Sequence, residues 1–159
     1  MGPHAIQFDQ HVTPVRKPDW QSRLHEYLVA HHQDKFRYGQ IDCCLFVSSA
    51  VLEMTGTDLG APFRGRYASR KAAFEAIAKY TGAPSVKAIA EKIFTEHGIR
   101  KIPVLSASRG DIVLLERSVD YSLGLIDLSG KDVLVSSRRG LWRLPLSQIR
   151  PQIVYAWRI

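Results

Sequence analysis

The chain has 159 residues, 45% of them hydrophobic and 23% charged, which is the size and composition of one globular domain with a real core. No apolar run approaches the ~20 residues of a membrane span, and the opening Met-Gly-Pro-His lacks the pattern of an export signal, so a protein made in the cytoplasm is expected. The net charge of +7 comes from residues 64–109, which hold 10 Lys/Arg against 3 Asp/Glu. No nucleic-acid motif is interleaved with these cations, so solvated helix faces are the expected reading and nucleic acid is not an expected partner.

Residues 1–19 carry Pro3, Pro14 and Pro18 without periodicity and read as an N-terminal arm, leaving 20–159 as the domain. From Trp20 the spacing turns helical, with Trp20, Leu24, Tyr27 and Leu28 on one face and an end near His32. A second helix runs from about Asp42 to Met54, with Phe46, Val47, Ala50, Val51 and Met54 apolar and Gly56 as its stop. After a loop around Gly60, Pro62 and Gly65, Ser69 caps a third helix that ends at Gly82. Pro84 opens a fourth, ended by Gly98.

Beyond Pro103 the periodicity changes. IVLLE, LGLIDL, DVLVSS, LWRLPL and IVYAWRI are short apolar segments rich in β-branched and aromatic residues, separated by Gly, Asp and Ser. They predict an antiparallel meander, with Trp142 and Trp157 packed in the core or on a sheet face. Helices first and strands second define an α+β order, one sheet of about five strands packed against the N-terminal helices.

Chemistry concentrates at Asp42-Cys43-Cys44. Asp42 is a natural N-cap, which places Cys43 in the first turn, beside unpaired backbone N–H groups that favour thiolate. Cys44 lies about 100° further round the helix, where burial is expected. Adjacent cysteines rarely form a disulfide, and no further Cys or ordered His pair completes a metal site, so neither a metal nor a cofactor is expected. A nucleophile and a small core residue both remain open readings of Cys43.

Gly39, Asp42, Cys43, Phe46 and Val47 resemble the G-x-x-D-C-x-x-F-V entry to the catalytic helix of NlpC-type cysteine peptidases, papain-like enzymes that cut peptidoglycan peptides. Gly110-Asp111-Ile112-Val113 resembles the turn that begins those enzymes' sheet. Ser122-Leu123-Gly124-Leu125 falls where they carry the histidine base, and Val135 or Ser136 where they carry the orienting residue. The longer pattern is similar to small phage and prophage proteins related to that superfamily. They share the D-C-x-x-F helix through Thr55-Gly56, the segment Arg64-Gly65-Arg66-Tyr67 and the closing Ala156-Trp157-Arg158.

The resemblance implies a papain-like, NlpC-like arrangement with Cys43 at the nucleophile position and Ser122 at the base position. A hydroxyl without a nearby base can neither hold a thiolate nor protonate a leaving amine near pH 7. None of His4, His11, His25, His31, His32 and His97 lies in the strand half, and His97 reads as a helix-end cation. The resemblance therefore implies a non-enzymatic structural component of a phage or prophage tail tip or baseplate, with a vestigial Cys43. Its partners would be other tail proteins, and its place the virion. The alternative is an active peptidoglycan endopeptidase or amidase, with peptidoglycan as partner and His31 or His32 as a nonstandard base. Asp42, Arg64, Arg66 and Tyr67 form a second polar cluster, which reads either as a ligand site or as a loop pinned by Asp42 or Asp58.

Overall fold

A computed structural model describes residues 12–159. Four helices come first: α1 (Trp20–His31), α2 (Cys43–Thr55), α3 (Arg70–Thr81) and α4 (Val86–Glu96). Six strands follow, β1 (Arg100–Ile102), β2 (Ile112–Glu116), β3 (Tyr121–Ile126), β4 (Asp132–Ser137), β5 (Gly140–Pro145) and β6 (Ile153–Arg158), with the one-turn α5 (Leu146–Ile149) between the last two. The fold is α+β. Side-chain oxygens of Asp42, Ser69 and Ser85 accept backbone N–H groups at the starts of α2, α3 and α4. Ser85 rather than Pro84 thus caps α4, because its hydroxyl can accept the Ala88 N–H whereas a proline ring offers no acceptor.

The strands form one antiparallel sheet in the order β1-β6-β2-β3-β4-β5. Only β2 to β5 make the expected meander. β6 returns across the sheet to pair with β2, and its outer edge is covered by β1, a short sixth strand. Arg100-Lys101-Ile102 carries no strand periodicity of its own; it is extended because β6 offers an unpaired edge.

Both sheet faces are buried. Ile112, Leu114, Leu123, Leu125, Leu134 and Trp157 face the helices and pack with Leu24, Phe46, Val51 and Phe94. Val113, Leu115, Ile126, Val133 and Val135 point the other way and are closed over by Leu146, Ile149 and Ile153. This second small core explains why IVLLE is apolar without alternation. Trp157 is 1% exposed and meets Phe94 edge-on at 4.7 Å. Trp142 departs from its expected packing: it is 53% exposed, because β5 is an edge strand that projects it away from both cores.

The expected arm at 1–19 divides. Residues 1–11, with His4 and His11, lie outside the described residues. Residues 12–19 belong to the domain: Pro14 is buried, the Lys17 N–H donates to Met54 O at 2.8 Å, and Arg16 stacks 4.2 Å over the Trp20 ring. Arg16 and Arg158 converge on Asp111, which is fully buried, at 3.1 and 3.0 Å. One carboxylate thereby ties the strap before α1, the Gly110-Asp111 turn and the last strand together.

Candidate functional site

The site is built outward from a turn. Gly39 adopts φ +79°, and a Cβ there would lie 2.0 Å from Tyr67 O. Only glycine permits that approach. It also allows the Gly65 N–H to donate to Gly39 O at 2.7 Å, which fastens the Arg64–Tyr67 loop onto the start of α2.

Asp42 is buried and its carboxylate accepts three hydrogen bonds. Oδ1 accepts the Leu45 N–H at 2.9 Å, and Oδ2 accepts the Gly39 N–H at 3.0 Å and the Tyr67 hydroxyl at 2.8 Å. Burial, with the Asp42 charge beside it, raises the Tyr67 phenol far above its ordinary value, so it stays a donor. Arg64 is held by Asp58 through two bonds of 2.8 and 3.1 Å and donates to Ser49 Oγ at 2.8 Å. Arg66 is exposed. The three residues of this segment therefore do not converge on one point. Two lock the loop down, and the third faces solvent.

Cys43 and Cys44 line different pockets, with their sulfurs 3.9 Å apart. Cys44, expected to be buried, is half-buried like Cys43 and lines a separate small apolar pocket of about 40 Å³ bordered by Leu59, Phe63, Ile77, Phe94 and Leu123. Cys43 opens onto a surface cleft of about 320 Å³ between α2, α3 and the β2–β3 hairpin. The Cys43 thiol is pulled below the ordinary value first by its hydrogen bond with Cys44, against the opposing effect of burial, with help from the Leu123 backbone and the Ser122 hydroxyl. The same bond, with burial, drives the Cys44 thiol up.

Ser122 on β3 thus does lie beside Cys43, and it lines the cleft. Of the two residues expected at the orienting position, Val135 points into the far core, while Ser136 faces the cleft and donates to Ile41 O at 2.7 Å. That bond ties β4 to the residue preceding Asp42.

No histidine lines the cleft among the described residues. His31 sits 2.6 Å from Asp34 and against the Tyr27 ring. His32 bonds Val29 O at 2.8 Å and, with His25, borders a separate groove between α1 and the β4–β5 end of the sheet. His97 caps α4, its ring nitrogen 2.9 Å from Ile93 O. No group of three metal-ligating side chains occurs among the described residues, and no helix of theirs is long and apolar enough to cross a membrane.

Several cleft residues carry no sequence pattern that marks them. Arg70 reads as the first residue of a capped helix and Arg117 as part of a hairpin turn, yet both border the cleft with Phe36, Tyr38, Phe74 and Asp120. They belong to separate elements, and only tertiary packing assembles them.

Residues 15–159 match a family described as a domain of unknown function, DUF6950. No curated protein matches the chain.

Proposed function

We propose that this chain, which belongs to the DUF6950 family over residues 15–159, is a structural component of a phage or prophage tail tip that uses a degenerate NlpC-like peptidase fold as an assembly module. One observation carries the reading. Cys43 stands at the start of a capped helix and opens onto a cleft, as a peptidase nucleophile would, but the side chain facing it from β3 is Ser122. A thiol can be polarised by a helix start and neighbouring donors. Peptide cleavage also needs a group that protonates the leaving amine, and neither serine nor Asp42, whose carboxylate only accepts from the Leu45 and Gly39 N–H groups and the Tyr67 hydroxyl, supplies one.

The open cleft and the lowered Cys43 thiol favour the second reading, a cysteine peptidase or amidase on peptidoglycan, if another chain brings an imidazole to the cleft. The test has two arms. Purified tail particles are expected to contain this chain, and particles without it would end the first reading. Purified peptidoglycan incubated with the chain is expected to release no new amine or carboxyl ends. Release that disappears in Cys43→Ala would establish the second reading.

A further inference from the structure

The cleft beside Cys43 has a charge pattern that a purely structural role leaves unused. Two guanidiniums reach it from different elements, Arg70 at the start of α3 and Arg117 at the end of β2. Each lies over an aromatic ring, Arg70 at 4.6 Å from the Phe74 centroid and Arg117 at 5.8 Å from that of Trp142. Stacking orients a planar guanidinium while leaving its N–H edge available.

These two arginines differ from the others that hold the fold together. Arg64, Arg143 and Arg158 close on carboxylates at 2.8, 2.6 and 3.0 Å. Arg70 has only Asp120 at 3.9 Å, and Arg117 makes no ion pair with a described residue. Asp120 is further occupied by the Tyr121 N–H at 2.7 Å. The lining holds two carboxylates and two guanidiniums. Asp42 is engaged by the Gly39 and Leu45 N–H groups and the Tyr67 hydroxyl, and Asp120 lies only loosely against Arg70, so neither carboxylate closes on Arg117. The same cleft has apolar lining from Phe36, Phe74, Ile77 and Val119, beside the hydroxyls of Ser118, Ser122 and Ser136, and Val119 is 85% exposed. A volume of about 320 Å³ lies within the range of small-ligand sites, roughly 300–1,000 Å³.

We propose that this cleft binds the carboxyl end of a short apolar peptide, with Arg70 and Arg117 taking the carboxylate and the Phe36–Phe74–Val119 surface lodging the terminal side chain next to Cys43. A forked guanidinium matches a planar carboxylate, and an inorganic anion would leave the apolar walls unfilled. The inference does not depend on where the protein is assembled, since it concerns the chain alone.

Cys43 supplies the reporter. The full-length chain is treated with iodoacetamide, and alkylation of Cys43 is followed by peptide mapping in the presence of acetyl-Leu-Ala, the same peptide as its C-terminal amide, or inorganic phosphate. The free acid is expected to slow Cys43 alkylation, with half-protection at a concentration about tenfold or more below that of the amide, the value of one charge-assisted contact. Arg70→Gln with Arg117→Gln is expected to remove that difference. The inference is overturned if acid and amide protect equally, if neither protects at millimolar concentration, or if phosphate protects as well as the acid. The acid–amide comparison needs no variant, so it stands even if the double substitution disturbs folding.

Discussion

Tyr67 donates its hydroxyl, at 2.8 Å, to the same Asp42 carboxylate that caps the helix bearing Cys43. The loop after α2 is therefore fastened to the first turn of α2 through one buried acid. Tyr67→Phe removes a hydrogen bond to a charged acceptor and is expected to cost about 2 kcal/mol. Asp42→Ala removes the cap as well and is expected to cost more. In a urea-denaturation double-mutant cycle the two substitutions should be strongly non-additive. Additive losses would mean that the bond does not couple loop to helix.

Cys43 and Phe46 separate packing from chemistry on one helix. Phe46 is fully buried among Leu24, Val51 and Met54, and Phe46→Ala is expected to cost about 3–5 kcal/mol by opening a core cavity. Cys43 is half-buried at the cleft, and Cys43→Ala is expected to cost about 1 kcal/mol and, under the proposed tail-tip role, to leave assembly nearly intact. Thermal melts of the two variants and incorporation into particles check the ordering.

The two thiols should titrate apart. Because its hydrogen bond with Cys44 holds Cys43 below the ordinary thiol value, its alkylation should rise with pH earlier than that of Cys44, which is shifted the other way. Site-resolved mass spectrometry across pH 6–10, about the range in which thiols ionise, measures both curves. Coincident curves, or Cys44 reacting first, would contradict the assigned asymmetry.

Two glycines in positive φ offer a controlled comparison. Gly39→Ala places a Cβ 2.0 Å from Tyr67 O, so the loop and the helix start cannot both keep their positions, and the chain is expected to lose most of its folded population. Gly65 has φ +72° but open space around its Cβ, so Gly65→Ala should cost only the backbone penalty, about 1–2 kcal/mol. Equal losses, measured by circular dichroism and denaturation, would show that the Gly39–Tyr67 approach is not required.

Asp127 predicts a feature of the acid limb. Its carboxyl is held below the ordinary aspartate value of 3.8: burial opposes this, but the bonds from Ser129 and Arg143 outweigh it. A depressed folded pKa gives stability that is present above the unfolded value and lost as pH falls through the folded one. Asp127→Asn should therefore cost about 1 kcal/mol near neutrality, a modest figure because Arg143 is 60% exposed, and the difference from wild type should shrink as the pH falls below 3.8 and through the folded value. A deficit that persists unchanged at low pH would assign the loss to something other than charge.

The four helices and five of the six strands were legible in the sequence because their causes are local. Asp42 and Ser69 cap with their own side chains, Gly56 and Gly82 turn the chain at φ +85° and +84°, and the five apolar segments announce strands wherever they pair. The placement of Cys43 at a helix start was legible for the same reason, since cap and thiol are neighbours in the chain.

What lay beyond the sequence depends on partners far away in it. Arg100-Lys101-Ile102 is a strand only because β6 leaves an edge, and Trp142 is exposed only because β5 ends the sheet. Arg16 and Arg158, 142 positions apart, meet on Asp111, and no spacing rule predicts that pairing. The cleft is the fullest case. Cys43 brings its thiol by local geometry, but Ser122, Arg70 and Arg117 arrive on a strand, a helix and a hairpin whose relative positions are set by burial of the common core. Capping and periodicity act within a few residues, so the sequence by itself determined which elements form and which side chain begins α2. Hydrophobic packing is non-directional and acts between elements, so only the tertiary structure decided what that side chain faces.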